Sequence, residues 1–174
     1  MPKTIENLRE KILEEAKYQV RELGYSAMTM RSVAAACGVG TGTVYNYFPS
    51  KDILIANFML DEWMLCVERI SGDVVQAENI KDALCCMHHE LLKYKEKYKL
   101  LFTDENAEAA YTASFTKRHH LLREQLAEPI KVWSCKQDRV DASFLAEFVA
   151  ENMLTLTMEG KDFDLIISVL LQLF

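Results

Sequence analysis

Between Thr29 and Lys51 the chain carries side chains suited to hydrogen bonding with phosphate oxygens and with the edges of bases. Arg31 can bridge the O6 and N7 of guanine, while Thr43, Tyr45 and Asn46 offer donors and acceptors that can reach base edges. Lys51, Tyr47 and the hydroxyl of Thr29 suit phosphate contacts, which fix register rather than sequence. Thr41 and Gly42 complete the outer surface of the same stretch. No Asp or Glu occurs from Gly24 to Lys51, although the chain as a whole has a formal charge of -6. A carboxylate-free window in an acidic protein is where a polyanion can approach.

A second cluster, Cys85, Cys86, His88 and His89, holds metal-ligand types, and Cys85 can share a helix face with His88 or His89. The spacing fits no standard zinc signature, so buried thiols with surface imidazoles explain it more simply, and no metal or cofactor is assigned. Cys85 and Cys86 would point about 100° apart on a helix, so a disulfide between them would break it. A metal or redox sensor built on these four residues is one alternative function. Glu90 beside His89 has no nucleophile, phosphate loop or paired ligand set around it, so the chain is not expected to be an enzyme.

The chemistry of the first stretch needs two short helices and a turn. Thr29 can cap the first helix, and Val33, Ala34 and Cys37 put small apolar groups on one side of it. Gly38 can take a positive φ and end it. A second helix starts near Thr41 with Gly40 or Thr41 as its cap, turns Val44 and Phe48 inward, and stops at Pro49. Two short helices joined by a turn of about four residues match a helix-turn-helix, whose second helix enters the major groove of DNA.

The run from Thr29 to Asp52 also resembles the DNA-binding signature of the tetracycline-repressor (TetR) family. The resemblance rests on Gly38-Val39, Gly42-Thr43-Val44-Tyr45, Tyr47-Phe48 and Ser50-Lys51-Asp52. It covers about the first third of the chain and departs from the commoner pattern at Cys37, where Ala is frequent, and at Gly40, where Ser is frequent. The resemblance implies an all-helical dimeric transcriptional regulator with a variable C-terminal domain that dimerises and usually binds an inducer, and a repressor is the expected mode.

The rest of the chain is read as support for that element. A first helix over residues 5–23 repeats Ile5, Leu8, Ile12, Ala16, Val20 and Leu23 at steps of three and four; Lys3, Arg9 and Lys11 could reach the sugar-phosphate backbone, but a solvated helix face is the simpler reading. Ser50 caps a further helix that ends at Ser71-Gly72-Asp73 and is apolar on more than one face. The resemblance makes it the connector between domains. The expected division is therefore a helix-turn-helix domain, 1–48, and a helical effector-binding and dimerisation domain, 49–174, with 49–71 as connector. Helices are expected over about 80–99 and 104–128, with Pro129 interrupting the latter and a further short helix holding Ile130, Val132 and Trp133. Without strand-like alternation or a repeat, the class is all-α.

Trp63, Met64, Met87, Tyr94, Tyr98, Phe102, Tyr111, Phe115 and Trp133 could line a pocket for a small apolar or aromatic effector, or simply fill a core. The resemblance favours the pocket. The last two helices, separated by Gly160, are apolar on more than one side, and Phe144, Phe148, Met153, Leu156, Phe163, Ile167, Leu170 and Phe174 are assigned to a homodimer interface. About five large side chains per chain at ~1.5–3 kcal/mol each would return roughly 15–30 kcal/mol gross to a dimer, against an association cost of about 4–15 kcal/mol.

A chain of 174 residues, 50% apolar, is long enough for one or two packed domains of roughly 100–200 residues. Five cysteines, an odd number, suit a reducing compartment. The opening residues lack the apolar core of a signal peptide, and the run Leu165 to Phe174 is shorter than a membrane span of about 20 residues. The expectation is a cytoplasmic regulator whose partners are a double-stranded DNA operator, a second copy of itself and a small effector, with no membrane. A helical dimer that binds another protein, without an effector, is a further alternative.

Overall fold

A computed structural model of the chain describes residues 7–136 and 141–173. Among the described residues the regular structure is helical throughout. The order is α1 Leu8–Leu23, α2 Met30–Ala36, α3 Thr41–Tyr47, α4 Lys51–Gln76, α5 Ile80–Lys97, α6 Lys99–Phe102, α7 Glu105–Lys136, α8 Ala142–Glu159 and α9 Phe163–Leu170, followed by a 3-10 turn over Leu171–Leu173. Ile5 and Lys3 lie outside the described residues, as does Phe174.

The first compact unit takes in the described residues up to Glu62 together with Lys97–Ala113. Its centre is built by α1, whose Leu8, Ile12, Ala16 and Val20 recur at helical spacing and are buried with Met28, Met30, Val33, Ala34, Val44 and Phe48. Each such large side chain contributes about 1.5–3 kcal/mol by leaving water. The unit does not stop at residue 48. Leu54, Ile55 and Phe58 of α4 are buried in it, and Phe58 meets Tyr98 with ring centroids 6.0 Å apart. Glu62, also buried, accepts an ion pair from Lys17 of α1 at 2.6 Å and another from Lys97 at the end of α5. A sequence pattern read locally could not show that a segment near residue 100 belongs with α1.

The second unit comprises Trp63–Glu96 and the described residues from Ser114 onward. Its core joins Trp63, Cys66, Ile70 and Val74 of α4 to Leu84, Met87 and Leu91 of α5, Leu126, Ile130 and Trp133 of α7, and Leu145, Val149, Met153, Ile166, Ile167 and Leu170 of the last two helices. The Trp63 and Tyr94 rings meet edge to face at 5.6 Å, and Trp63 Nε1 donates to Gln125 Oε1 at 2.9 Å.

Several expected boundaries move. Helix α4 passes through Gly72 and runs to Gln76, because Ile70 and Val74 on either side are fully buried and outweigh the roughly 1 kcal/mol that a mid-helix glycine costs. Pro129 lies inside α7 rather than ending it. It gives up one backbone bond at a cost of about 3 kcal/mol, yet Leu126, Ile130 and Trp133 are buried around it and hold the helix on course, so no separate short helix forms. α5 stops at Lys97, and Tyr98 takes the position before the short α6 without a side-chain cap.

Candidate nucleic-acid interface

The helix-turn-helix is assembled by short-range chemistry. Thr29, extended at φ -133°, accepts the Ser32 N–H on its Oγ1 at 2.9 Å, and the Thr29 N–H donates to Ser32 Oγ at 3.0 Å, a reciprocal cap on α2. Gly38, at φ +70°, reverses the chain, while Val39 N–H returns to the Ala34 carbonyl at 3.0 Å. Gly40 starts α3 without a side-chain cap, so the hydroxyl that a Ser would supply there is missing. Val44 and Phe48 are buried beneath α3, as their spacing predicted.

The opposite face of α3 is open. Tyr45 is 48% exposed and Tyr47 45%, and Asn46 and Gly42 are exposed beside them, with Thr41 and Thr43 half-buried at the edge. Tyr45 is therefore not packed into the protein. Thr29 and Arg31 are exposed at the start of α2. These residues share the first unit and form a carboxylate-free group of donors.

Lys51, expected to contact phosphate, has partners within the chain. It is half-buried, its ammonium lies 3.8 Å from the centre of the Tyr25 ring, and it donates to the Tyr25 carbonyl oxygen. Burial pushes its pKa below the ordinary lysine value. The lysine expected to reach for phosphate is half-buried and engaged with the turn between α1 and α2. Tyr25 in turn donates its hydroxyl to Asp52 Oδ1 at 2.7 Å. Ser26, next in that turn, donates through N–H at 2.9 Å and through Oγ at 3.0 Å to Asp104, and these bonds hold the Asp104 carboxyl below the usual carboxylate range. Arg9 is no simple solvated cation: it donates to Asn57 Oδ1 at 3.1 Å and lies over the Phe48 ring at 5.3 Å. Tyr25, Asp52 and Asp104 were not legible as contributors, since Ser26 and Asp104 are 78 positions apart and no local pattern joins them.

The residues expected to line an effector pocket are shared between the two units. Trp63, Met87 and Trp133 are buried in the core of the second unit with Tyr94 packed against them. Tyr98 and Phe102 belong to the first unit, where Tyr98 is buried against Phe58, and Met64 is exposed. The side chains of Tyr111 and Phe115 lie outside the described residues. The expected interface set also divides. Met153, Ile167 and Leu170 are buried in the chain's own core and are not available to a partner, while Leu156 and Phe163 are half-buried. Phe144, at 72% exposed, Phe148, Leu165, at 67%, and Val169 are the open apolar residues of α8 and α9. Phe148, Asn152, Leu156, Leu165, Ile166 and Val169 are among the residues lining a groove of about 290 Å³ between these two helices.

Among the described residues no group of three His, Cys, Asp or Glu side chains is placed to hold a metal ion. His88 instead stacks on Phe163, with centroids 4.0 Å apart and planes 10° from parallel. Cys85 and Cys86 are half-buried free thiols. No described helix is long and apolar enough to cross a membrane.

Residues 12–57 match the family model described as bacterial regulatory proteins, tetR family. Over 120 residues the chain is 23% identical to a fatty acid metabolism regulator protein of Bacillus subtilis (strain 168), covering 69% of this chain and 59% of that one. The chain thus spans less than two thirds of that relative's length. Its fold is similar to the crystal structure of a TetR-family transcriptional regulator from Streptomyces coelicolor, with a TM-score of 0.61 and 20% identity over 95% of this chain and 94% of the other. It is also similar to the solved structure of the fatty acid degradation regulator FadR from Bacillus halodurans, with a TM-score of 0.57 and 16% identity over 98% and 96% of the two chains.

Proposed function

We propose that this chain, a TetR-family transcriptional regulator in its N-terminal domain and its fold, binds a near-palindromic operator as a homodimer, represses transcription, and is released by a small apolar effector. The observation that carries DNA binding is the open face of α3. Tyr45, Asn46 and Tyr47 are exposed there, Val44 and Phe48 anchor the helix from behind, and Arg31 is exposed on the adjoining α2. A helix so mounted can lie in the major groove with Thr43, Tyr45, Asn46 and Arg31 toward base edges and Thr29, Thr41 and Tyr47 toward phosphates. Lys51 acts from behind by holding the Tyr25 carbonyl.

Two-fold pairing is supported by Phe144, Phe148, Leu165 and Val169, which are exposed on α8 and α9 and would leave water if a second copy covered them. A dimer presents two α3 helices to two inverted half-sites. The names of the Bacillus relatives point to an effector drawn from fatty-acid metabolism, which suits an apolar ligand. The place of action is the cytoplasm, where operator DNA and free thiols coexist.

In vitro selection from randomised duplexes, using the full chain, tests the reading. The expected product is a sequence with two inverted half-sites that the protein retards in a gel and that fatty acids or their thioesters release. Failure to enrich any sequence overturns the DNA-binding reading. Enrichment without release by fatty acids, thioesters or aromatic acids overturns the effector part alone.

A further inference from the structure

Gln19 lies on the inner face of α1, only 6% exposed, between Ala16 and Val20 on a stripe that is otherwise aliphatic. A leucine would fill such a position without having to satisfy an amide. The amide is satisfied here by particular partners: Nε2 donates to Glu15 Oε1 at 2.7 Å, and Oε1 accepts the Ser32 hydroxyl at 2.6 Å. Ser32 is half of the reciprocal cap that opens α2.

A serine hydroxyl has one proton to give. Two acceptors compete for that of Ser32, Gln19 Oε1 at 2.6 Å and the Thr29 carbonyl oxygen at 2.8 Å. Given to Gln19, the proton ties α2 to α1, and the Ser32 oxygen keeps its lone pairs for the Thr29 N–H at 3.0 Å and the Thr29 hydroxyl at 3.1 Å. Every donor in the cap then has an acceptor, and the first turn of α2 is fixed to the interior of the unit. Arg31 is the second residue of that helix and is exposed.

We propose that Gln19 is a positioning residue for DNA reading, which never touches DNA but sets the aim of Arg31 by anchoring Ser32 to α1. The inference rests on the DNA-binding reading above and assigns Gln19 a role that packing alone does not require.

The test uses the full chain, the duplex that the wild-type protein enriches, and a scrambled duplex of the same composition. Gln19→Leu should melt at or above the wild-type temperature, lose about tenfold in affinity for the enriched duplex and keep its affinity for the scrambled one. Ser32→Ala breaks the same bond from the other side. The double variant should bind no more weakly than Ser32→Ala alone, because that change already removes the bond to Gln19 together with the cap. Repeating the selection with Gln19→Leu should relax preference at the position that Arg31→Ala relaxes. An unchanged ratio of the two affinities, equal losses on both duplexes, or additive losses in the double variant would each overturn the proposal. Should Gln19→Leu fail to fold, Gln19→Met and Ser32→Ala carry the comparison. A wild-type chain that enriches no duplex defeats the regulator reading itself, and this inference with it.

Discussion

Arg31 and Lys51 are the two cationic residues between Gly24 and Lys51, and their surroundings assign them different work. Arg31 is exposed, with nothing acidic near it in sequence. Arg31→Ala should weaken binding by roughly tenfold and relax preference at one base position, as repeated selection would show. Lys51 already donates to Tyr25 and lies over its ring. A lysine held in this way displaces few counterions from DNA, so Lys51→Ala should leave the slope of log affinity against log salt unchanged while lowering the melting temperature. A slope reduced by about 1 would return Lys51 to the phosphate-contacting set.

Among the elements, α2 and α3 are short and depend on their ends. Gly40 caps α3 with no side chain, and a Cβ there would meet nothing closer than Thr43 Oγ1 at 3.9 Å. Gly40→Ser should therefore stabilise the protein by a few tenths of a kcal/mol, measurable by denaturant unfolding. The joint of α1 with α4 depends on Glu62. Burial alone would raise its carboxyl, but hydrogen bonds and charge from Lys17 and Lys97 outweigh burial and hold it below its ordinary value of 4.5. A carboxylate depressed in the folded state contributes stability above its unfolded pKa and loses it as pH falls through the lower folded value. Glu62→Gln should cost roughly 1–3 kcal/mol at pH 7, and the gap to wild type should close on acidification below 4.5, both followed by urea unfolding.

For the whole molecule, the decisive residues are those of α8 and α9 that point away from the core. Leu165→Glu changes a residue that is 67% exposed, so the folded chain should lose less than about 0.5 kcal/mol, yet sedimentation should shift from dimer to monomer and operator affinity should fall. Met153→Ala, in contrast, empties a fully buried site and should cost about 2–5 kcal/mol by thermal or denaturant unfolding. If Met153→Ala proved the milder change in unfolding and the stronger one in sedimentation, the division between core and interface would be reversed.

Much of the helix-turn-helix was legible from sequence because its determinants are short-range. The Thr29 cap, the positive φ of Gly38, the stop at Pro49 and the four-residue step from Val44 to Phe48 each act within a turn or two of helix. The all-helical class followed from the same periodicities. Tertiary structure decided what periodicity leaves open. A helix apolar on two sides does not record which side meets its own core, and packing placed Met153, Ile167 and Leu170 inward while leaving Leu165 and Val169 outside. Burial around Gly72 and Pro129 overrode their local tendency to break helices. The hydrogen bonds of Ser26 to Asp104 and of Ser32 to Gln19 join residues that only the folded chain brings together. Local dihedral preferences and caps are properties of the sequence itself, whereas the partner of a buried polar group is fixed only when the elements pack.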